Sequence, residues 1–145
     1  MATATKRRAR PTKPRGREEW VWMPHPAHFI CAKWCRFHLA TYVGGFIVST
    51  VGEFVHPRHS GGSEAAEAKW LEKNYPGENI GCDRKYETFV FRAALTDKRS
   101  CCQYRPTGWG EIDSLPANDS NLAYANHMKL CDKWSKIDPN TIPKE

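Results

Sequence analysis

The segment CRFHLATYVGGFIVSTVGEF, residues 35–54, decides the fold. Two runs rich in β-branched and aromatic residues flank Gly44-Gly45, and both central residues of a tight hairpin turn need positive φ. A two-residue loop there places Val43 opposite Phe46, Thr41 opposite Val48, Leu39 opposite Thr50 and Phe37 opposite Gly52. One face then carries Phe37, Leu39, Val43, Phe46 and Val48 and is expected to pack on the core. The other carries Arg36, His38, Ala40, Tyr42, Ile47, Ser49, Val51 and Glu53. Arg36 falls opposite Glu53, a cross-strand charge pair that supports the same register. A slip by one residue would move the apolar set to the wrong face and lose that pair.

Outward from the hairpin, the pattern predicts an α+β fold. YETFVFRAA, Tyr86 to Ala94, reads as a central strand half-buried on both faces. Together with the hairpin it makes a small, mainly antiparallel sheet, with two helices packed on it. The first helix spans about 64–74. Ser63 caps it, Glu64 and Glu67 suit its positive end, and Pro76-Gly77 stops it. The second spans about 120–134, capped by Asp119 or Ser120, with Leu122, Ala125, Met128, Cys131 and Trp134 as its buried stripe. Ahead of the hairpin, Trp20-Val21-Trp22 reads as extended chain, broken by Pro24 and Pro26. His28-Phe29-Ile30-Cys31 reads as a short edge strand. The segment 101–118 reads as the Cys101-Cys102 pair followed by loop.

Length and charge bound the rest. The 145 residues suffice for one domain, placed at 18–136, with a flexible tail at 137–145. No apolar run is long enough to span a membrane, and no apolar segment follows the basic N-terminus as a secretory signal would require. A cytosolic chain keeps its thiols reduced, which counts against disulfides among the six cysteines. The net charge of +6 is concentrated in one place. Residues 1–17 hold Lys6, Arg7, Arg8, Arg10, Lys13, Arg15 and Arg17 and no acid. That leaves fifteen basic and sixteen acidic residues in the remainder. This segment lacks the apolar content to order itself. It reads either as an arm that neutralises nucleic-acid phosphates or as a solvated tail without aromatics to stack on bases.

The Cys and His residues carry the chemical signal. His25, His28, Cys31, Cys35 and His38 lie within fourteen residues. His127 and Cys131 are four apart on a predicted helix and share a side of it. Cys31, Cys35, His127 and Cys131 together match the four-ligand count of a structural zinc. Against this, Cys-x3-Cys is looser than the usual zinc spacing, and buried cysteines commonly act as small hydrophobes. Cys35 with His38, or His38 with Glu53, would offer an acid–base pair. Neither a nucleophile elbow, a phosphate loop nor H-E-x-x-H is present.

The blocks VWMPHPAHFICAKWCRFHLATYVGGFIVSTVGE, GCDRKYETFVF, the CC pair with WGEID, and NHMKLCDKW resemble a family of small uncharacterised proteins from tailed bacteriophages and prophages. The resemblance covers most of Trp20 to Ser135. Residues 1–17 and the region from Val55 to Glu78 depart from it. It implies an accessory viral protein in the host cytoplasm and no particular activity. The expectation is therefore a non-enzymatic binding module. Its partner is a host or phage protein, or nucleic acid through the basic arm, with no membrane association. The competing class is a metal-dependent nuclease or hydrolase using the Cys/His cluster.

Overall fold

The structure, a computed structural model, describes residues 19–28, 32–81, 83–96, 102–108 and 110–143. It is an α+β fold built on an antiparallel sheet. The hairpin strands are β2 (Cys35–Tyr42) and β3 (Phe46–Phe54), with β1 (Val21–Trp22) on the outer side of β2. On the far side of β3 lies β4 (Tyr86–Leu95), which pairs in turn with β5 (Tyr104–Thr107) and β6 (Asp113–Ala117). The helices are α1 (Pro57–Ser60), α2 (Glu64–Asn74) and α3 (Ser120–Ser135).

The hairpin register is the predicted one: Thr41 faces Val48, Leu39 faces Thr50 and Phe37 faces Gly52. Val43 N donates to Phe46 O at 2.8 Å, and Gly44 and Gly45 take φ of 65° and 104° to close the turn. The charge pair is different. Glu53 adopts φ 57°, and its carboxylate accepts from Tyr86 Oη at 2.9 Å. Arg36 instead meets Glu67 of α2 at 3.0 Å. The twist at Glu53 removes it from the cross-strand position that flat pairing would give it.

Both faces of the sheet are buried. On one, Val43, Phe46, Val48 and Val90 pack against Leu130, Cys131 and Trp134 of α3 and against Trp20. Each such apolar side chain contributes about 1.5–3 kcal/mol on burial. On the other, Tyr42, Ile47, Phe91 and Ala93 pack with Ala27. The residues after β1 turn at Pro24 and Pro26 and lie over this second face, where Ala27 N donates to Ser49 Oγ at 2.9 Å. His28 belongs to that cover and not to a strand, and Phe29, Ile30 and Cys31 lie outside the described residues.

Three further expectations change. The segment between the Cys101-Cys102 pair and Asp119 contains β5 and β6; each holds a proline, which argues against a strand in sequence but is tolerated at a sheet edge. The buried side of α3 is Ala123, His127, Leu130, Cys131 and Trp134, while Leu122 is 46% exposed. The segment after α3, expected to fray, folds back as a 3-10 turn at Pro139–Thr141, with Ile137 and Ile142 packed on the core. Pro139 sits against the hairpin tip, where a Cβ on Gly45 would come within 2.3 Å of Pro139 Cγ. The caps hold as expected: Ser63 accepts from Ala66 N and Asp119 from Leu122 N. Helix α2 has no buried residue and reaches the sheet through Glu67 and Arg36.

Candidate functional site

The side chains with chemical potential fall into two buried polar clusters, one on each face of the sheet. On the α3 face, β2, β3 and β4 present Thr41, Thr50 and Thr88 inward, all essentially without exposure. Three hydroxyls in an apolar layer need partners, since an unpaired buried polar group costs about 1–3 kcal/mol. His127 supplies two of them, and Thr50 the third. Its Nε2 lies 2.8 Å from Thr41 Oγ1, its Nδ1 lies 2.7 Å from Thr50 Oγ1, and Thr50 Oγ1 lies 2.8 Å from Thr88 Oγ1. The ring is fully buried and stacks on Trp22 with centroids 5.7 Å apart. Burial holds its pKa down at about 4, so the imidazole is neutral, donating from one nitrogen and accepting at the other.

On the opposite face, His28 Nδ1 lies 2.7 Å from Ser49 Oγ, and His28 Nε2 faces Glu87 Oε1 at 3.6 Å. The ring stacks on Phe89 with centroids 4.6 Å apart. Burial lowers the pKa of His28 to about 4, so its contact with Glu87 is not an ion pair at neutral pH. Burial also raises the Glu87 carboxyl, against the pull of Arg84, whose Nε donates to Glu87 Oε2 at 3.0 Å. The order serine, histidine, carboxylate resembles a nucleophile, base and orienting group. It lacks the access that such chemistry needs. Ser49 has no exposure, and its oxygen already accepts from the Ala27 amide. The cluster fastens the Ala27–His28 cover to the sheet.

Of the four zinc ligands suggested by the sequence, Cys35 and Cys131 lie in different core clusters. Cys131 packs with Val43, Phe46 and Val48 under α3. Cys35 packs with Val51, Phe54 and Ile80, in a cluster separate from that of Cys131. Both nitrogens of His127 are engaged by threonines. Cys31 lies outside the described residues, as do Cys82, Cys101 and the basic positions Lys6, Arg7, Arg8, Arg10, Lys13, Arg15 and Arg17. Among the described residues no three His, Cys, Asp or Glu side chains gather as a metal site. Glu53 is held by Tyr86 and is not paired with His38. Sequence reasoning missed the role of His127, although Thr41 and Thr50 stood at core-facing positions of the hairpin. A hydroxyl pair on an apolar face is the signal that a polar side chain must reach it.

What the surface offers is aromatic. Trp22 is 52% exposed, Trp34 38%, Tyr75 68% and Tyr124 52%. A shallow groove of about 420 Å³ runs beside Trp34, between Lys33, Arg36 and the start of α2 at Ser63. No helix of the described residues is long and apolar enough to cross a membrane. Set against family models, curated proteins and solved structures, the chain finds no significant match in any of the three.

Proposed function

We propose that this protein is a small accessory protein of tailed-phage type that acts by binding a protein partner and not by turnover. The observation that carries the reading is the division of side chains between inside and outside. His28, Ser49, Glu87, His127, Cys35 and Cys131 are all buried, and their polar contacts serve the fold. The large side chains left in solvent include Trp22, Trp34, Tyr75 and Tyr124. Exposed aromatics supply contact area at interfaces, where Trp and Tyr dominate the binding energy.

The test is retention of a defined protein by the purified, full-length chain from nuclease-treated bacterial lysate, followed by reconstitution with that protein alone. A Trp22→Ala/Tyr124→Ala double variant keeps the buried clusters, apart from the stacking on His127, and is checked for folding by circular dichroism. Loss of the reconstituted complex in the folded variant supports the reading. A chain that retains no protein under any salt condition overturns it.

Nucleic acid is the second reading, favoured by the seven basic residues concentrated in positions 1–17. Binding through such a segment falls steeply with salt, by roughly a power of the salt concentration near the number of phosphates neutralised. Single-stranded DNA retained at low salt by the full chain, and not by a chain lacking residues 1–17, would support it.

A further inference from the structure

We infer that the outer edge of β2 at His38 is a docking site for an extended peptide of a partner protein, which adds a strand to the sheet in line with β1. This deepens the binding-module reading and rests on it.

β1 covers only the end of β2. It pairs Val21 with Tyr42 and Trp22 with Thr41, and Met23 N makes one further bond to Ala40 O at 2.8 Å. After Met23 the chain turns at Pro24 and Pro26 and leaves to cover the sheet face. Ala40 directs its carbonyl to this outer side, and His38, two residues earlier in the strand, presents its N–H and C=O the same way. Among the described residues nothing pairs with them, and His38 is exposed. The opposite margin is treated differently. Ala93 N donates to Gly45 O on the β3 side, so Pro106, paired with Ala93, turns its donor-less nitrogen outward. Val90 O accepts from Ile112 N on the β6 side, so Glu87, an odd number of residues away, bonds toward β3. Pro116, paired with Glu87, therefore also faces out. Proline on an edge blocks strand addition. Both strands of that margin carry one, and the segment from Arg36 to Leu39 does not.

Side chains on each side of the edge specify the occupant. Toward α3, Phe37 and Leu39 are only half-buried, and Trp22 is exposed at the near end. One flank of α3 is committed to β6, through Asn126 to Pro116 O and Lys133 to Asp113. Tyr124 stands about 180° round the helix from Lys133, on the β1–β2 side. Phe37 and Leu39 thus offer half-buried apolar surface on the same side as the exposed Trp22 and Tyr124. At the far end, Arg36 already holds the Glu67 carboxylate at 3.0 Å with its side chain still 49% exposed, and Lys33 is nearby and exposed. A peptide residue opposite His38 shares the His38 face and suits a carboxylate. Its two neighbours turn toward α3 and suit apolar side chains. The occupant is an extended apolar–acidic–apolar segment, held by main-chain bonds and sorted by alternate side chains.

The experiment titrates the full-length protein with a ten-residue peptide alternating Val and Glu, and follows amide hydrogen exchange at His38 by NMR. The expected result is saturable binding with exchange at His38 slowed by about tenfold or more. The same peptide with Lys for Glu should bind about tenfold more weakly, and one N-methylated at alternate residues should not bind. Trp22→Ala, at an exposed position, should weaken binding in a chain that stays folded. Unchanged exchange at His38 with peptide in excess overturns the proposal, as does equal binding of the Lys peptide. Protection at His38 that rises with protein concentration alone assigns the edge to a second copy and also overturns it. A partner protein that binds while His38 stays unprotected overturns the edge and leaves the binding-module reading standing.

Discussion

Lowering the pH from neutral should destabilise this protein, and His127 is the residue that tests why. In the folded state burial holds its pKa near 4, against about 6.5 for a histidine in an unfolded chain. The folded state therefore prefers the neutral ring. The stability it contributes is complete above about pH 6.5 and is lost as pH falls from there toward 4. Between pH 6.5 and 5 the loss is about 1.5 units at 1.36 kcal/mol each, or about 2 kcal/mol. His28, with the same shift, adds about the same. Glu87 works in the opposite sense, because its raised carboxyl pKa favours the folded state as protons bind. It lies beside His28, which makes His127 the cleaner reporter. Urea unfolding at several values from about pH 7.5 to 5 measures the loss, and a His127→Gln variant isolates the contribution. The stability gap between wild type and variant should shrink by about 2 kcal/mol across that range. A gap constant to within about 0.5 kcal/mol would refute the buried neutral imidazole. If the variant does not fold, an NMR titration decides instead: the wild-type ring should stay neutral to about pH 5.

Other outcomes follow from the same packing. Thr50→Val keeps the shape but strands His127 Nδ1 and the Thr88 hydroxyl, so it should cost about 2–4 kcal/mol by urea unfolding, more than Thr88→Val at about 1–2. Gly45→Ala combines a φ of 104° with a clash on Pro139 and should lower stability by about 2 kcal/mol or more; Gly62→Ala, at φ 78° with open space around it, should cost only about 1. With Cys35 and Cys131 in separate core clusters, EDTA should leave the melting temperature unchanged, while Cys131→Ala should cost about 1–2 kcal/mol through the cavity it leaves. A fall of about 10 °C or more on chelation would point back to a structural metal.

The parts of the fold legible in sequence were those fixed by local physics. The Gly44-Gly45 turn and the period-two pattern set the hairpin register, and Ser63 and Asp119 marked the helix starts by their capping chemistry. What was not legible depended on distant partners. The stripe of α3 was placed one step round the helix, because Leu122 and Met128 outweigh His127 on any apolar scale. The threonines that bury His127 lie 77 and 86 residues away. β5 and β6 were hidden by their prolines, which suit an edge but argue against a strand when the edge is unknown. Arg36 chose Glu67 because the backbone turns at Glu53, a twist that flat strand pairing cannot anticipate. The candidate site suffered most. Residue type groups Cys31, Cys35, His127 and Cys131, whereas core packing and the seat of α3 decide where Cys35, His127 and Cys131 lie.

The row of threonines has a consequence for how the chain is made. Thr41, Thr50 and Thr88 leave the ribosome before His127 does, and the bonds of Thr41 and Thr50 to it close loops of 86 and 77 residues. Until α3 arrives, a nascent sheet presents Val43, Phe46, Val48 and Val90 to water with the hydroxyls set among them. The hydroxyls hydrate readily, which makes that open face less adhesive than an all-aliphatic one. Once α3 docks, Thr41 and Thr50 demand the imidazole, and a helix seated one turn out of register leaves both without it. The threonines thus lessen the hazard of an unfinished chain and penalise a misplaced last helix in the finished one.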